Sequence, residues 1–441
     1  MTKASSSSTA ARSASTGGRP MLSAPRVRRP VRAINAVLSA LGPLTPLGRS
    51  LRADDLLELA AKKAGLSDFG SPTYRAGLDR LLRALDQEAN LTPIGRLIAR
   101  EEILGALTSR LQVLDHHRRF REIGQGRIEA PVIMIGMGRS GTTILHELMA
   151  LDPRNRTPAT WEVDMPFPPP ETATHQSDPR IAEIQQRLDR TDQILPDFKK
   201  IHRMGATLPQ ECVRWTTGEF ASLIFGISYE VPSYGQWLID DVDYGPVYAY
   251  HKQFLQLLQW KCPAERWVLK SPAHLWSLQA MLEAYPDARL VQTHRDPLKT
   301  TASLASLVTN LRVMSSNQVD PRAVGRQWAN WNASALNASV DARESGLITG
   351  DRIIDISFYD FMSSPLEQVA IIYDFLGFEF TTEVEGEMRR YLEVHTAQQH
   401  GAHQYRFEDF GLDLAEERAR FERYQSYFHV PNELDSSGPP G

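Results

Sequence analysis

The sequence predicts an α/β protein: a mainly parallel sheet flanked by helices, with a helical subdomain in front and a helical insertion within. Three observations predict it. From residue 130 onward, short apolar runs alternate with helical patterns, which is how a chain winding strand, helix, strand reads. The first run, "PVIMIG" at 131–136, meets a glycine turn and then "TTILHELMA", a buried parallel strand feeding a phosphate loop. Residues 34–125, by contrast, carry helical spacing alone.

The elements follow in order. Residues 1–33 are rich in Ser, Ala and Arg, and Lys3, Arg12, Arg19, Arg26, Arg28, Arg29 and Arg32 are met by no acid. Such a stretch buries too little apolar surface to offset chain entropy and reads as a disordered basic tail. A transit peptide or a basic arm touching a membrane surface is its alternative reading. "SLRADDLLELAAKKAG", "GLDRLLRALDQEA" and "LIAREEILGALTSRLQVLDHH" then predict a helical subdomain over 34–125, with Gly65 as a stop. Residues 126–430 form the main domain. After the first strand, "RWVLK" (266–270), "ARLVQTH" (288–294) and "DRIIDIS" (351–357) each precede a helical pattern. Between the first two strands, residues 161–260 read as a mostly helical insertion behind the stiff "PFPPPE". Residues 431–441 read as a flexible tail.

Composition excludes several classes. The chain has 441 residues, 42% hydrophobic and 23% charged, the balance of a soluble globular protein. A net charge of -4 argues against a general nucleic-acid binder. Only Cys212 and Cys262 occur, so neither a disulfide framework nor a cysteine-based zinc site is expected, and a reducing cytoplasm suits the chain. No apolar run is long enough to span a membrane, and no signal-peptide core is present. The sequons at Asn332 and Asn337 read as helix surface.

The loop itself runs Gly136-Met-Gly-Arg-Ser-Gly141-Thr142-Thr143. Its spacing is that of G-x-x-x-x-G-K-[ST], but Thr142 stands where the lysine belongs. Backbone N–H groups and a helix amino end still make an anion cradle from Gly138, Arg139, Ser140, Gly141, Thr142 and Thr143. Arg139 adds a planar, permanently charged fork. With no lysine and no magnesium-binding acid nearby, the cradle suits an anion needing less neutralisation than a triphosphate, such as a phosphosulfate.

Five stretches carry a family resemblance: "GRSGTTILHELMA", "TWEVDMPFPPP", "WVLKSPAHLWSL", "YPDARLVQTHRDPLKTTASLASL" and "HQYRFEDFGLD". In this order, over roughly residues 35–430, the chain resembles the bacterial, largely actinobacterial, branch of the sulfotransferase superfamily, whose fold is P-loop-like. Its Arg-Ser-Gly-Thr-Thr core also resembles that of tyrosylprotein sulfotransferases. The resemblance implies 3′-phosphoadenosine 5′-phosphosulfate (PAPS) as donor, a hydroxyl as acceptor and no metal. It makes Arg295 and Ser303 the clamp for the donor's 3′-phosphate. Lys270 then touches the transferring sulfonate and the bridging oxygen, and Tyr359 the adenosine. Two residues compete as the base taking the acceptor's proton. Glu162 is preferred, because carboxylate bases occur near this point in tyrosylprotein and bacterial sulfotransferases; His274 is the alternative. His403 and Tyr405 are expected to close over the donor. Glu211 and Cys212 read as structural.

A small, lipophilic or aromatic acceptor is expected, with peripheral contact to a membrane surface allowed, in a pocket drawing on Trp161, Phe167, Trp215, Phe220, Phe225, Tyr229, Tyr234 and Trp237. The rival reading is a P-loop small-molecule kinase using Mg-ATP. "HRD" (294–296) and "DFG" (409–411) also invite a protein-kinase reading, which fails because Thr301 stands where the magnesium-binding Asn should be.

Overall fold

A computed structural model describes residues 29–41, 51–194, 203–395 and 406–434. Its centre is a five-stranded sheet: β1 (Val132–Ile135), β2 (Asn155–Arg156), β3 (Arg266–Lys270), β4 (Arg289–His294) and β5 (Ile353–Ser357). All pairings are parallel, in the order β2-β3-β1-β4-β5. Four strands lie where the apolar runs placed them. β2 is new: two residues hold no periodicity to read.

The sheet is buried on both faces, which explains the unbroken apolar runs. Successive side chains of a strand point to opposite faces. Ile133 and Ile135 join Trp267, Leu269 and Leu290 in one core, while Val132 and Met134 join Val268 and Val291 in another. The second core is closed by the helices Thr142–Met149 and Pro365–Leu376. The first core continues without a break into the amino-terminal helices and the insertion.

The amino-terminal helices span Ala53–Ala64, Thr73–Gln87 and Pro93–Arg119. Gly65 ends the first at φ +66°, as its position in the sequence predicted. Thr92 caps the third, accepting the Gly95 N–H at 3.0 Å, with Pro93 in the first turn. A further helix, Arg29–Leu41, starts inside the stretch expected to be a tail. Residues 1–28 of that stretch lie outside the described residues.

The insertion is helical at Thr160–Asp164, Pro179–Ile194, Leu223–Ser228, Pro232–Asp240 and Tyr244–Gln259. Arg110 ties it to the amino-terminal helices. Its side chain is 2% exposed, pairs with the buried Glu219, and donates to the carbonyls of Phe69 (2.8 Å), Ser71 (3.0 Å) and Gly218 (3.1 Å).

Candidate active site

The loop after β1 is held by packing that only glycine allows at its start. Gly136 has φ +132°, and a Cβ there would meet Thr293 Oγ1 at 2.6 Å and the Thr293 carbonyl at 2.8 Å. Ser140, expected among the donor ligands, turns inward instead. Its hydroxyl donates to the Met137 carbonyl (2.5 Å) and meets Thr293 Oγ1 (2.7 Å), while its N–H also goes to Met137. Thr142 is buried as well; Thr143 is exposed. Arg139 takes φ +74°, a left-handed conformation that costs a non-glycine residue about 1–2 kcal/mol. That turn leaves its side chain exposed at the rim. The positive amino end of Thr142–Met149 opens on the same loop.

The carboxyl ends of β3 and β4 bring the other cations to this loop, as expected for a parallel sheet. Arg139 Nε donates to Ser303 Oγ at 3.0 Å, and Arg295 Nη1 donates to the Arg139 carbonyl at 3.0 Å. The two arginines are thereby drawn together at the loop. The Phe358 ring lies under the Arg295 guanidinium at 3.9 Å, and its edge stands 3.2 Å from where a Gly141 side chain would begin. On its outer side Arg295 meets a carboxylate from the end of the chain: Nε to Glu433 Oε1 at 2.7 Å and Nη2 to Oε2 at 3.0 Å. Tyr359, expected against adenosine, donates to the same Glu433 at 3.0 Å. Residues 431–434 are thus fastened, where the sequence suggested a flexible tail.

Lys270, 3% exposed at the end of β3, donates to Thr143 Oγ1 at 3.3 Å and pairs with Glu211. Glu211 is therefore no remote structural residue: it touches the lysine expected to serve the transferring group. The chain neighbours of this pair, Ser271 and Cys212, line a pocket with Val213, Leu238, Tyr244, Val247, Tyr248, His274 and Trp276. The pocket is mostly apolar. None of the eight aromatics expected in it lines it. Trp161, Trp215, Phe220, Phe225, Tyr229 and Tyr234 are core, Phe225 and Phe220 stacking at 6.0 Å. Phe167 and Trp237 pack against that core from its edge.

His274 is buried, its Nδ1 against Tyr248 OH at 2.6 Å, and its Nε2 has no hydrogen-bond partner. Burial pushes the imidazole down to about 4, with Glu211 pulling the other way. Neighbouring His251 is built alike, Nδ1 on Tyr285 OH at 2.7 Å and Nε2 unpartnered. With Cys212 these two histidines form the group among the described residues whose ligating atoms, within 4.8 Å of one another, could hold a metal ion. Burial holds all three uncharged, raising the thiol and lowering both imidazoles.

Glu162, preferred as the base, is enclosed and already paired. It is 0% exposed. Its Oε1 accepts from Arg156 Nη2 (2.6 Å) and faces His175 Nε2 (3.1 Å), and Oε2 accepts the Ala159 N–H (2.9 Å). Burial works to raise its pKa, but Arg156, with His175 and Ala159, holds it below the usual carboxylate range. Such a carboxylate braces the helix Thr160–Asp164 at its amino end. His294 and Asp296 of "HRD" are structural too. His294 bridges Tyr424 (2.9 Å) and Asp355 (2.9 Å), and Asp296 caps Pro297–Arg312 through the Leu298 N–H. His403 and Tyr405 lie outside the described residues.

Three residues at the site were missed: Glu211, Phe358 and Glu433. Phe358 alone carried a signal, standing beside Tyr359 just past a strand end. Glu211 and Glu433 come from segments that reach the site only through tertiary folding.

Against known proteins, the model of the Sulfotransferase family matches residues 131–382. The omega-hydroxy-beta-dihydromenaquinone-9 sulfotransferase Stf3 of Mycobacterium bovis is 22% identical over 278 residues, 60% of this chain and 68% of that protein. Two crystal structures share the fold. The sulfotransferase STF9 from Mycobacterium avium superposes with a TM-score of 0.79 at 30% identity, covering 87% of this chain and 98% of that one. For the sulfotransferase STF1 from Mycobacterium tuberculosis H37Rv the TM-score is 0.75 at 30% identity, with 84% and 98% covered.

Proposed function

The chain belongs to the sulfotransferase family, and on that premise we propose that it moves a sulfuryl group from PAPS to the hydroxyl of a lipophilic acceptor by in-line displacement. The observation carrying this reading is the convergence of Arg139, Lys270 and Arg295 on one lysine-free phosphate loop through Ser303, Thr143 and the Arg139 carbonyl. Three fixed cations suit a phosphosulfate with a second phosphate on its ribose. Thr143 and the loop N–H groups hold the 5′ side, Arg295 and Ser303 the 3′-phosphate. Phe358 offers a ring face beside both.

In this reading Lys270 stabilises charge developing on the leaving phosphate, and Glu211 orients the lysine until the donor is seated. The acceptor brings its hydroxyl end to the apolar pocket beside them. His274 receives its hydroxyl, since the one unmet need of that side chain is a partner for Nε2. We place the acceptor's proton on His274 rather than on Glu162. A weak base suffices, because little bond forms to the nucleophile in a loose transition state of this kind. Positioning and electrostatics supply most of the rate. The apolar lining (Val213, Leu238, Val247) and a relative named for a menaquinone derivative both favour a lipid-like acceptor. Among the described residues no helix is long and apolar enough to cross a membrane.

Calorimetry with adenosine 3′,5′-bisphosphate and with Mg-ATP tests the donor. Uptake of the bisphosphate with no response to Mg-ATP supports the reading; the reverse would turn it into phosphoryl transfer. Incubating lipid extracts with the protein and labelled PAPS would then identify the acceptor.

A further inference from the structure

Arg295 is the proposed seat of the donor's 3′-phosphate, yet its fork already carries an anion. Glu433 lies on it with two oxygens, at 2.7 Å and 3.0 Å. A carboxylate so held presents the same paired oxygens as one edge of a phosphate. The pairing is built by the backbone. The N–H groups of Glu433 and Leu434 donate to Asp296 Oδ2 at 2.6 Å and 3.2 Å. Asp296 is 0% exposed and gripped by Arg418, 2.7 Å to each oxygen, and Arg418 also donates to the Leu434 carbonyl at 2.8 Å. The turn is fixed there, while the Glu433 side chain is 21% exposed and its carboxylate is held by Arg295 and by the Tyr359 hydroxyl at 3.0 Å.

We propose that Glu433 is a built-in competitor for the 3′-phosphate and so sets how tightly this site holds 3′-phosphorylated nucleotides. The proposal rests on the donor reading above. A nucleotide bearing a 3′-phosphate must displace the carboxylate from Arg295 Nε and Nη2; one lacking it leaves the pair intact. Donor and bisphosphate product share that phosphate, so both are weakened alike, and the product leaves sooner. Where release limits turnover, as it often does, such a competitor raises throughput.

The magnitude follows from occupancy. If the carboxylate holds the fork nine-tenths of the time, apparent affinity is reduced about tenfold. The experiment is calorimetry on the wild type, Glu433→Gln and Glu433→Ala with adenosine 3′,5′-bisphosphate and, in parallel, AMP. Both substitutions leave the backbone anchors to Asp296 intact. The expected result is bisphosphate binding tighter by about tenfold in both variants, with AMP affinity unchanged. Unchanged or weaker bisphosphate binding overturns the proposal. So does equal tightening for AMP, which would mark a general effect of one negative charge. Failure of every form, wild type included, to take up the bisphosphate would sink the donor reading itself; binding that ignores Glu433 would sink only this inference.

Discussion

At the scale of single residues, Lys270 and Glu162 make opposite predictions. Lys270 reaches the cradle through Thr143, so Lys270→Met is expected to lower turnover by about 10²–10³-fold, the usual cost of removing one charge-stabilising donor. Initial rates with labelled PAPS check it. Glu162→Gln is expected to act through stability instead. It strands the Arg156 charge, and breaking a buried pair costs about 3–5 kcal/mol, which urea unfolding would read. Selective loss of turnover in a fully stable Glu162→Gln would return the base role to that carboxylate. The lowered pKa of Glu162 adds a sign: its contribution is present above the unfolded value, near 4.5, and is lost as pH falls through the folded value. The sequence nominated Arg139, Lys270 and Arg295, each in a loop or at a strand end, and Ser303 within the helix Pro297–Arg312, and the structure gathers the four around one loop. It could not show which way Ser140 turns, because a hydroxyl in such a loop can point outward or toward Thr293, and only packing chooses. It did not show that Glu162 is enclosed by Arg156 and His175, because spacing does not encode those contacts.

At the scale of elements, strands buried on both faces announce themselves as apolar runs, so β1, β3, β4 and β5 were readable. β2 was not, being two residues borrowed against β3. The helical insertion was readable as helix but not as pocket. Its aromatics were the natural candidates for a lipid site, yet most of them fill the core beside Arg110 and the amino-terminal helices. The pocket went to Val213, Leu238, Tyr248 and Trp276, which sit where the insertion faces the end of β3. The join between insertion and amino-terminal helices rests on Arg110 and Glu219. Arg110→Met alone is expected to destabilise by about 3–5 kcal/mol, while adding Glu219→Leu should recover much of that loss, because a matched apolar pair needs no desolvated charge. Denaturant midpoints of the two variants decide it.

For the molecule as a whole, buried neutral histidines set the response to acid. His146 is held down to about 3, by burial first and the Lys270 charge second, and His274 down to about 4 by burial. His251 and His294 shift in the same direction. The unfolded chain takes up protons near pH 6.5 and the folded chain does not, so stability is full above that value and falls as pH drops from 6.5 toward 4. By pH 5.5 His146 and His274 together should cost roughly 3 kcal/mol. Urea midpoints between pH 7.5 and 5.5 check this, and a flat profile would mean that these imidazoles are charged or solvated in the native state.

The turn at Glu433 and Leu434 also bears on how the protein should be handled. Anything inserted at that turn lies beside the Arg295 fork, and an acidic or bulky insertion there would crowd a nucleotide on it. Purification handles and fluorescent labels belong away from it. Two preparations differing only in that choice would be expected to disagree about nucleotide affinity while agreeing about everything else.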